Sequence, residues 1–229
     1  MKSNSNFNLK HIISKYKHGL ILSYFFIYLI WFTYLEKSIT LEFTPVYSRL
    51  DNYIPFMEIF AIPYFLWFAY IFVTVLFFFL TSKQDFYKCC AFLFIGMTIC
   101  LIIYTIWPNG HELRVDIDTL GRNNVFTRMI GRLYSFDTAT NVFPSIHVYN
   151  SIGAMIAIRK SEKLRPVKWI QIPALILTVL ICMSTVFLKQ HSILDVFGGI
   201  ILSVIMYALI YIPTRNKEVN KAGQELSKI

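Results

Sequence analysis

Apolar stretches with few or no charges recur along the whole chain, at 20–35, 56–80, 89–107, 143–158, 169–188 and 192–212. A helix needs roughly 20 residues to cross the hydrocarbon core of a bilayer, and inside that core the backbone must satisfy its own polar groups. The pattern therefore predicts an all-α fold, a polytopic membrane helix bundle of about six transmembrane helices. Composition agrees, because 56% hydrophobic and 15% charged residues leave too little polar surface to cover a soluble globule. Two segments are off-length. Segment 56–80 is long enough to tilt, with Pro63 placed to kink it. Segment 143–158 covers only about 24 Å, so its start should lie below the membrane surface, in a recess lined by Ser145 and His147.

Basic residues alternate between the connections. Lys2, Lys10, Lys15 and Lys17 precede the first stretch, Lys83 and Lys88 sit between the second and third, and Arg159, Lys160, Lys163, Arg165 and Lys168 between the fourth and fifth. Arg215, Lys217, Lys221 and Lys228 follow the last. By the positive-inside rule both termini are expected in the cytoplasm, in a cell membrane crossed several times. The formal charge of +9 is thus mainly a topology signal, and no basic stripe with stacking aromatics points to nucleic acid. The expected organisation is a cytoplasmic arm at 1–18, one membrane-embedded domain at 19–213 and a cytoplasmic tail at 214–229. Residues 7–16 suit either a basic amphipathic helix on anionic lipid or a disordered arm. The first stretch has no small-residue cleavage site and reads as a retained helix. Cys89, Cys90, Cys100 and Cys182 show neither disulfide nor metal spacing and read as packing residues.

Polar residues of catalytic type gather at the mouths of apolar segments. The longest polar connection, 108–142, feeds into Phe143-Pro144-Ser145-Ile146-His147, where proline suits a first helical turn. The N–H groups of Ser145, Ile146 and His147 would then face an anion such as phosphate. A second cluster ends in His191 and Asp195, four apart and hence on one helix face. An aspartate there can take one imidazole N–H, fix the tautomer and leave the other nitrogen as a nucleophile. His147 could then protonate a leaving oxygen. A lone histidine at a membrane interface is more often a capping residue, and Ser145 alone reads as a helix start. An unpartnered Asp195 one turn into a span would be costly, so His191 and Asp195 are better explained together.

These residues resemble the type 2 phosphatidic acid phosphatase superfamily, whose pattern is Lys-x6-Arg-Pro, then Pro-Ser-Gly-His, then Ser-Arg-x5-His-x3-Asp. The third motif's spacing is kept by Ser184, Thr185, His191 and Asp195, and the second stands as Pro144-Ser145-Ile146-His147. Four positions depart: Ile146 replaces glycine, Thr185 replaces arginine, and counting from Arg114 puts Trp107 and Val115 where Lys and Pro are expected. Lys189, Arg114, Arg128 and Arg132 remain as cations to hold phosphate. The phrase Phe143-Pro144-Ser145-Ile146-His147 and the absent arginine also resemble the inositol phosphorylceramide and sphingomyelin synthase branch.

The resemblance implies a metal-independent lipid phosphate phosphatase with no cofactor. In it His191 is the nucleophile, Asp195 orients it, His147 is the acid, and Ser145, Arg114 and Lys189 contact phosphate. The implied partners are a lipid phosphate substrate and membrane lipids, with the site on the extracytoplasmic side. Two other readings stay open: transfer of a phospho-headgroup to an alcohol, and a non-catalytic scaffold or transporter on the same bundle.

Overall fold

The computed structural model describes residues 15–38 and 42–226. The amphipathic arm expected at 7–16 falls almost wholly outside them. A 3-10 turn (Lys17–Ser23) leads into α1 (Tyr24–Ser38), followed by α2 (Ala61–Thr81), α3 (Lys83–Ile106), α4 (Val125–Phe136), α5 (Ile146–Lys160), α6 (Lys168–Phe187) and α7 (Ile193–Leu226). The strand content of the described residues is one two-residue parallel pair, β1 (Thr44–Pro45) with β2 (Asn109–Gly110).

Among the described residues, five helical segments are long and apolar enough to cross a membrane: Lys17–Ser38, Glu58–Thr81, Lys83–Ile106, Lys168–Phe187 and Ile193–Pro213. The remaining apolar helix, α5, has 15 residues and is the centre of the bundle, in contact with α2, α3, α6 and α7. Ser151, Gly153, Ala154 and Ala157 are buried along it and let its neighbours approach closely. No large apolar side chain of α5 is exposed, whereas α2, α6 and α7 present Phe72, Ile176 and Ile205 outward. An all-round exposed apolar belt of this kind fits lipid and not water.

Several local expectations change. Pro63 is the third residue of α2, in the first turn, where no intrahelical N–H is lost, so it starts the helix and gives no reason for a kink. The third span begins at Lys83, not near 89, because Ser82 caps the helix by accepting the Asp85 N–H and Asp85 suits the positive end of the helix dipole. Ser82 alone separates α2 from α3, so the charges read as a connection are first-turn residues. The last helix continues past Pro213 to Leu226, beyond the expected end at 212. The long polar connection before α5 contains α4, with Phe126, Ile130, Leu133 and Tyr134 packed under Ala61, Tyr64 and Leu188.

Candidate active site

The loops above the bundle are fastened together first. Asn109 is fully buried, and its side-chain oxygen accepts the N–H groups of Val142 (3.0 Å) and Phe143 (2.8 Å). Its amide nitrogen donates to the Trp107 and Phe143 carbonyls. Glu36, near the end of α1, accepts from the Thr138 N–H and hydroxyl and from the Asn141 side chain. The segment leading to Ser145 is thus held from both sides before α5 begins.

Ser145 is the N-cap of α5, its hydroxyl accepting the Val148 N–H at 3.4 Å. Its own N–H donates to the Asp195 carbonyl at 3.1 Å. The sequence counted that N–H as free for an anion; the structure spends it on joining the starts of α5 and α7. The N–H groups of Ile146 and His147 make no hydrogen bond to a described residue and keep the anion-binding character of a helix start. Close approach of the two helices needs glycine. A Cβ on Gly199 would lie 2.9 Å from the Ser145 carbonyl oxygen, and one on Gly198 would lie 2.7 Å from the Phe143 ring.

This junction brings the histidines together. His191 Nδ1 donates to Asp195 Oδ2 at 3.2 Å, and the Ser192 N–H donates to the same oxygen at 2.9 Å. Asp195 is fully buried, and its Oδ1 has no partner among the described residues. With Nδ1 engaged, Nε2 of His191 carries the free lone pair. The His147 and His191 rings lie 5.9 Å apart, centroid to centroid, nearly edge to face. His147 also packs on Tyr64 (4.6 Å) and Trp67 (4.4 Å), so α2 forms an aromatic wall behind it. Burial holds the His191 imidazolium down to about 3, helped by the charge of Arg114 and opposed by the Val142 backbone. The ring is therefore a free base at neutral pH.

Of the candidate cations, Arg114 and Lys189 are engaged by the frame of the site. Arg114 donates to the carbonyls of Tyr134 (3.1 Å), Asp137 (2.7 Å) and Thr138 (2.8 Å) and to Gln190 Oε1 (2.6 Å), and stacks on the Tyr134 ring. It clamps the end of α4 to the residue before His191, leaving its Nε without a partner among the described residues. Lys189 donates to the Asp51 carbonyl at 2.8 Å, and its φ of 54° is left-handed. Gln190 N–H bonds the Thr185 carbonyl and Lys189 N–H the Val186 carbonyl, a Schellman end to α6 with lysine where glycine is usual. Thr185, standing at the arginine position, is buried with its hydroxyl on the Cys182 carbonyl. Arg128 and Arg132 are exposed, Arg128 bonding Asn123.

Three residues that sequence reasoning passed over complete the frame. Asp51 accepts the Ser48 N–H, the Ser192 hydroxyl and the Ile193 N–H, capping α7 from the loop between α1 and α2. His111 accepts the Leu113 N–H on Nδ1 and so donates from Nε2 to the Gln190 carbonyl at 2.7 Å. Burial lowers it to about 4, which keeps it neutral in that role. Gln190, held by both His111 and Arg114, sets the backbone next to His191. Of the three, Asp51 carried a usable signal, an acid in a connection beside a span.

Among the described residues, no group of three or more His, Cys, Asp or Glu is placed to hold a metal ion. The arrangement can offer a neutral imidazole to an electrophile, with a second imidazole across from it and two backbone N–H groups beside it. Residues 122–218 match the family model of the PAP2 superfamily, a segment that spans α4 to α7 and includes both histidines and Asp195. No curated protein and no solved structure matches the chain.

Proposed function

We propose, from the match of residues 122–218 to the PAP2 superfamily model, that the chain is a multi-pass membrane phosphatase acting on a lipid phosphomonoester or pyrophosphate. The observation that carries this reading is the His191 Nδ1 to Asp195 Oδ2 contact at 3.2 Å with the His147 ring facing it. His191 Nε2 attacks phosphorus, the bond to the leaving oxygen breaks, and that oxygen takes a proton from His147. A bound phosphate anion favours the protonated form of His147 through its negative charge. Asp195 stabilises the charge that His191 gains. Water then gives a proton back to His147 as its oxygen attacks the phosphohistidine, the N–P bond breaks, and phosphate leaves with the His191 imidazole restored.

The N–H groups of Ile146 and His147, on the cap that Ser145 builds, receive the non-bridging oxygens. Arg114 and Lys189 supply positive potential from positions fixed by their hydrogen bonds. The reading places the site on the extracytoplasmic side, with α5 as a sixth, short membrane helix and both termini in the cytoplasm, in keeping with the basic-residue asymmetry.

A second reading, transfer of the phosphoryl group to an alcohol, draws on the aromatic enclosure of His147 by Tyr64 and Trp67, which limits water at the intermediate. The test uses purified protein with lipid phosphates and an aryl phosphate, with and without alcohol acceptors. His191→Ala should abolish turnover of every substrate. His147→Ala should lose about 10²–10⁴-fold on alkyl esters and be partly rescued by the aryl leaving group. Free phosphate as the main product supports the phosphatase, and a phosphodiester product supports transfer. Full activity in His191→Ala would overturn both.

A further inference from the structure

A polar cavity lies at the far end of α5 from His147. The two ends are 13 residues apart, from His147 to Lys160, or about 20 Å of helix. The cavity has a volume of about 360 Å³ and is lined by Arg159, Lys160, Arg165, Lys168 and Gln171. None of the four cations forms an ion pair with a described residue. Asp85, an acid at this end of the bundle, is bonded by the Ser161 hydroxyl at 3.0 Å.

The walls are built and not merely charged. Gln171 Nε2 donates to the carbonyls of Leu164 (3.1 Å) and Arg165 (2.9 Å), and Arg165 N–H donates to the Ser161 carbonyl at 2.8 Å. Lys160 is placed by its ammonium lying 5.0 Å from the centre of the Tyr207 ring on α7. A topology signal requires cations in a connection, yet it does not require them to converge on one concavity from both sides of a rigid turn. Converging, unpaired cations in a recess between membrane helices recognise phosphate.

The flank of the cavity selects the source of that phosphate. Along α6, Lys168 and Gln171 are followed on the same side by Ile172 and Leu175, both exposed, and Trp169 beside them is 77% exposed. A phosphate in the cavity would have its acyl chains continue along this apolar strip, with Trp169 at the headgroup level. We infer that the recess between the end of α5 and the start of α6 is a binding site for the headgroup of an anionic phospholipid, separate from the histidine site. The inference uses the membrane reading of the bundle and is independent of the chemistry proposed for His191.

The experiment measures the thermal midpoint of the His191→Ala protein in non-ionic detergent, a background chosen to remove turnover. Dihexanoyl phosphatidylglycerol, dihexanoyl phosphatidylcholine and inorganic phosphate are added at matched concentrations. Phosphatidylglycerol should raise the midpoint by about 3 °C at tenfold excess over its Kd, with little effect from the other two. Adding Arg165→Gln and Lys168→Gln, two surface changes, should leave the midpoint without lipid in place and remove most of the shift. No shift with phosphatidylglycerol, or a shift that survives both substitutions, overturns the site. An equal shift with phosphatidylcholine or inorganic phosphate overturns the anionic-lipid assignment. Activity of the His191-containing protein on aryl phosphate, measured separately, reports on the catalytic reading alone.

Discussion

The Asp51 carboxylate accepts the Ser192 hydroxyl at 2.6 Å across 141 residues of sequence. Ser192 in turn gives its N–H to Asp195, so one serine stands between two buried acids and links the loop between α1 and α2 to the histidine pair. Asp51 touches neither histidine by hydrogen bond; it acts by fixing the turn from which both His191 and α7 begin.

Asp51→Ala leaves the Ser192 hydroxyl and the Ile193 N–H without their acceptor and should cost about 3 kcal/mol of stability. The turn bearing His191 would shift, and displacement of a reacting group by about 1 Å costs roughly 10²-fold in rate. Asp51→Asn keeps one acceptor oxygen and should recover part of the rate. Steady-state kinetics check this: kcat should fall far more than KM rises. A variant with wild-type kcat at a temperature where it is folded would show that Asp51 has no part in positioning.

The His191 imidazole, held at about 3 by burial, remains a base as pH falls below the ordinary histidine range. The acid limb of kcat/KM should therefore lie well under pH 6.5. Stability has the opposite consequence, since the unfolded chain takes up protons below pH 6.5 that folded His191 and His111 refuse until about 3 and about 4. Denaturation midpoints should fall as pH drops from 6.5 towards 4. His111→Gln should flatten part of that slope.

Asp137 titrates in the other direction. Burial and the neighbouring Glu36 raise it to about 7, against the pull of Arg114. Folding is favoured by its protonated form, a contribution complete below pH 3.8 and lost as pH rises through 7. Asp137→Asn, which cannot ionise, should match the wild type near pH 4 and exceed it in thermal midpoint at pH 8. Equal midpoints at pH 8 would refute the raised value.

Gly199→Ala tests the junction of α5 and α7. The new methyl would meet the Ser145 carbonyl oxygen at 2.9 Å and the Val148 Cβ at 3.0 Å, neither the far end of a flexible chain. Overpacking of this kind costs about 1–3 kcal/mol. Because Ser145 N–H also bonds the Asp195 carbonyl, the shift should separate His147 from His191. Thermal melting and kcat should fall together, whereas Gly121→Ala should leave kcat unchanged; Gly121 lies in open space with φ 66°, so only a local strain is expected there.

The histidines and Asp195 were readable because each sits in a short local pattern: His191 stands two residues before α7, Asp195 lies in that helix's first turn, and His147 lies in the first turn of α5. The framing residues leave no such pattern. Asp51 meets Ser192 and Ile193 through loop closure, and His111 meets Gln190 across 79 residues, so no period announces either contact. Helix α4 did carry a period, with Phe126, Ile130, Leu133 and Tyr134 recurring on one face. Its 12 residues are shorter than a span, and the arginines around it give the stretch the composition of a loop. The reach of Arg114 was likewise beyond the sequence. Motif counting found the residue, while the partners that occupy its guanidinium come from α4, the loop after it and Gln190.

Asn109 precedes Gly110, and that dipeptide is the one most prone to lose ammonia, through attack of the glycine nitrogen on the asparagine side-chain carbonyl. Here the carbonyl oxygen is taken by two N–H groups, the amide nitrogen by two carbonyls, and the residue has no exposed surface. Rotation into the attacking geometry would break all four bonds at once. The folded protein is accordingly shielded from chemical ageing at the position that anchors the loop leading to Ser145, and a molecule that has spent time unfolded would carry an isoaspartate there as a permanent mark.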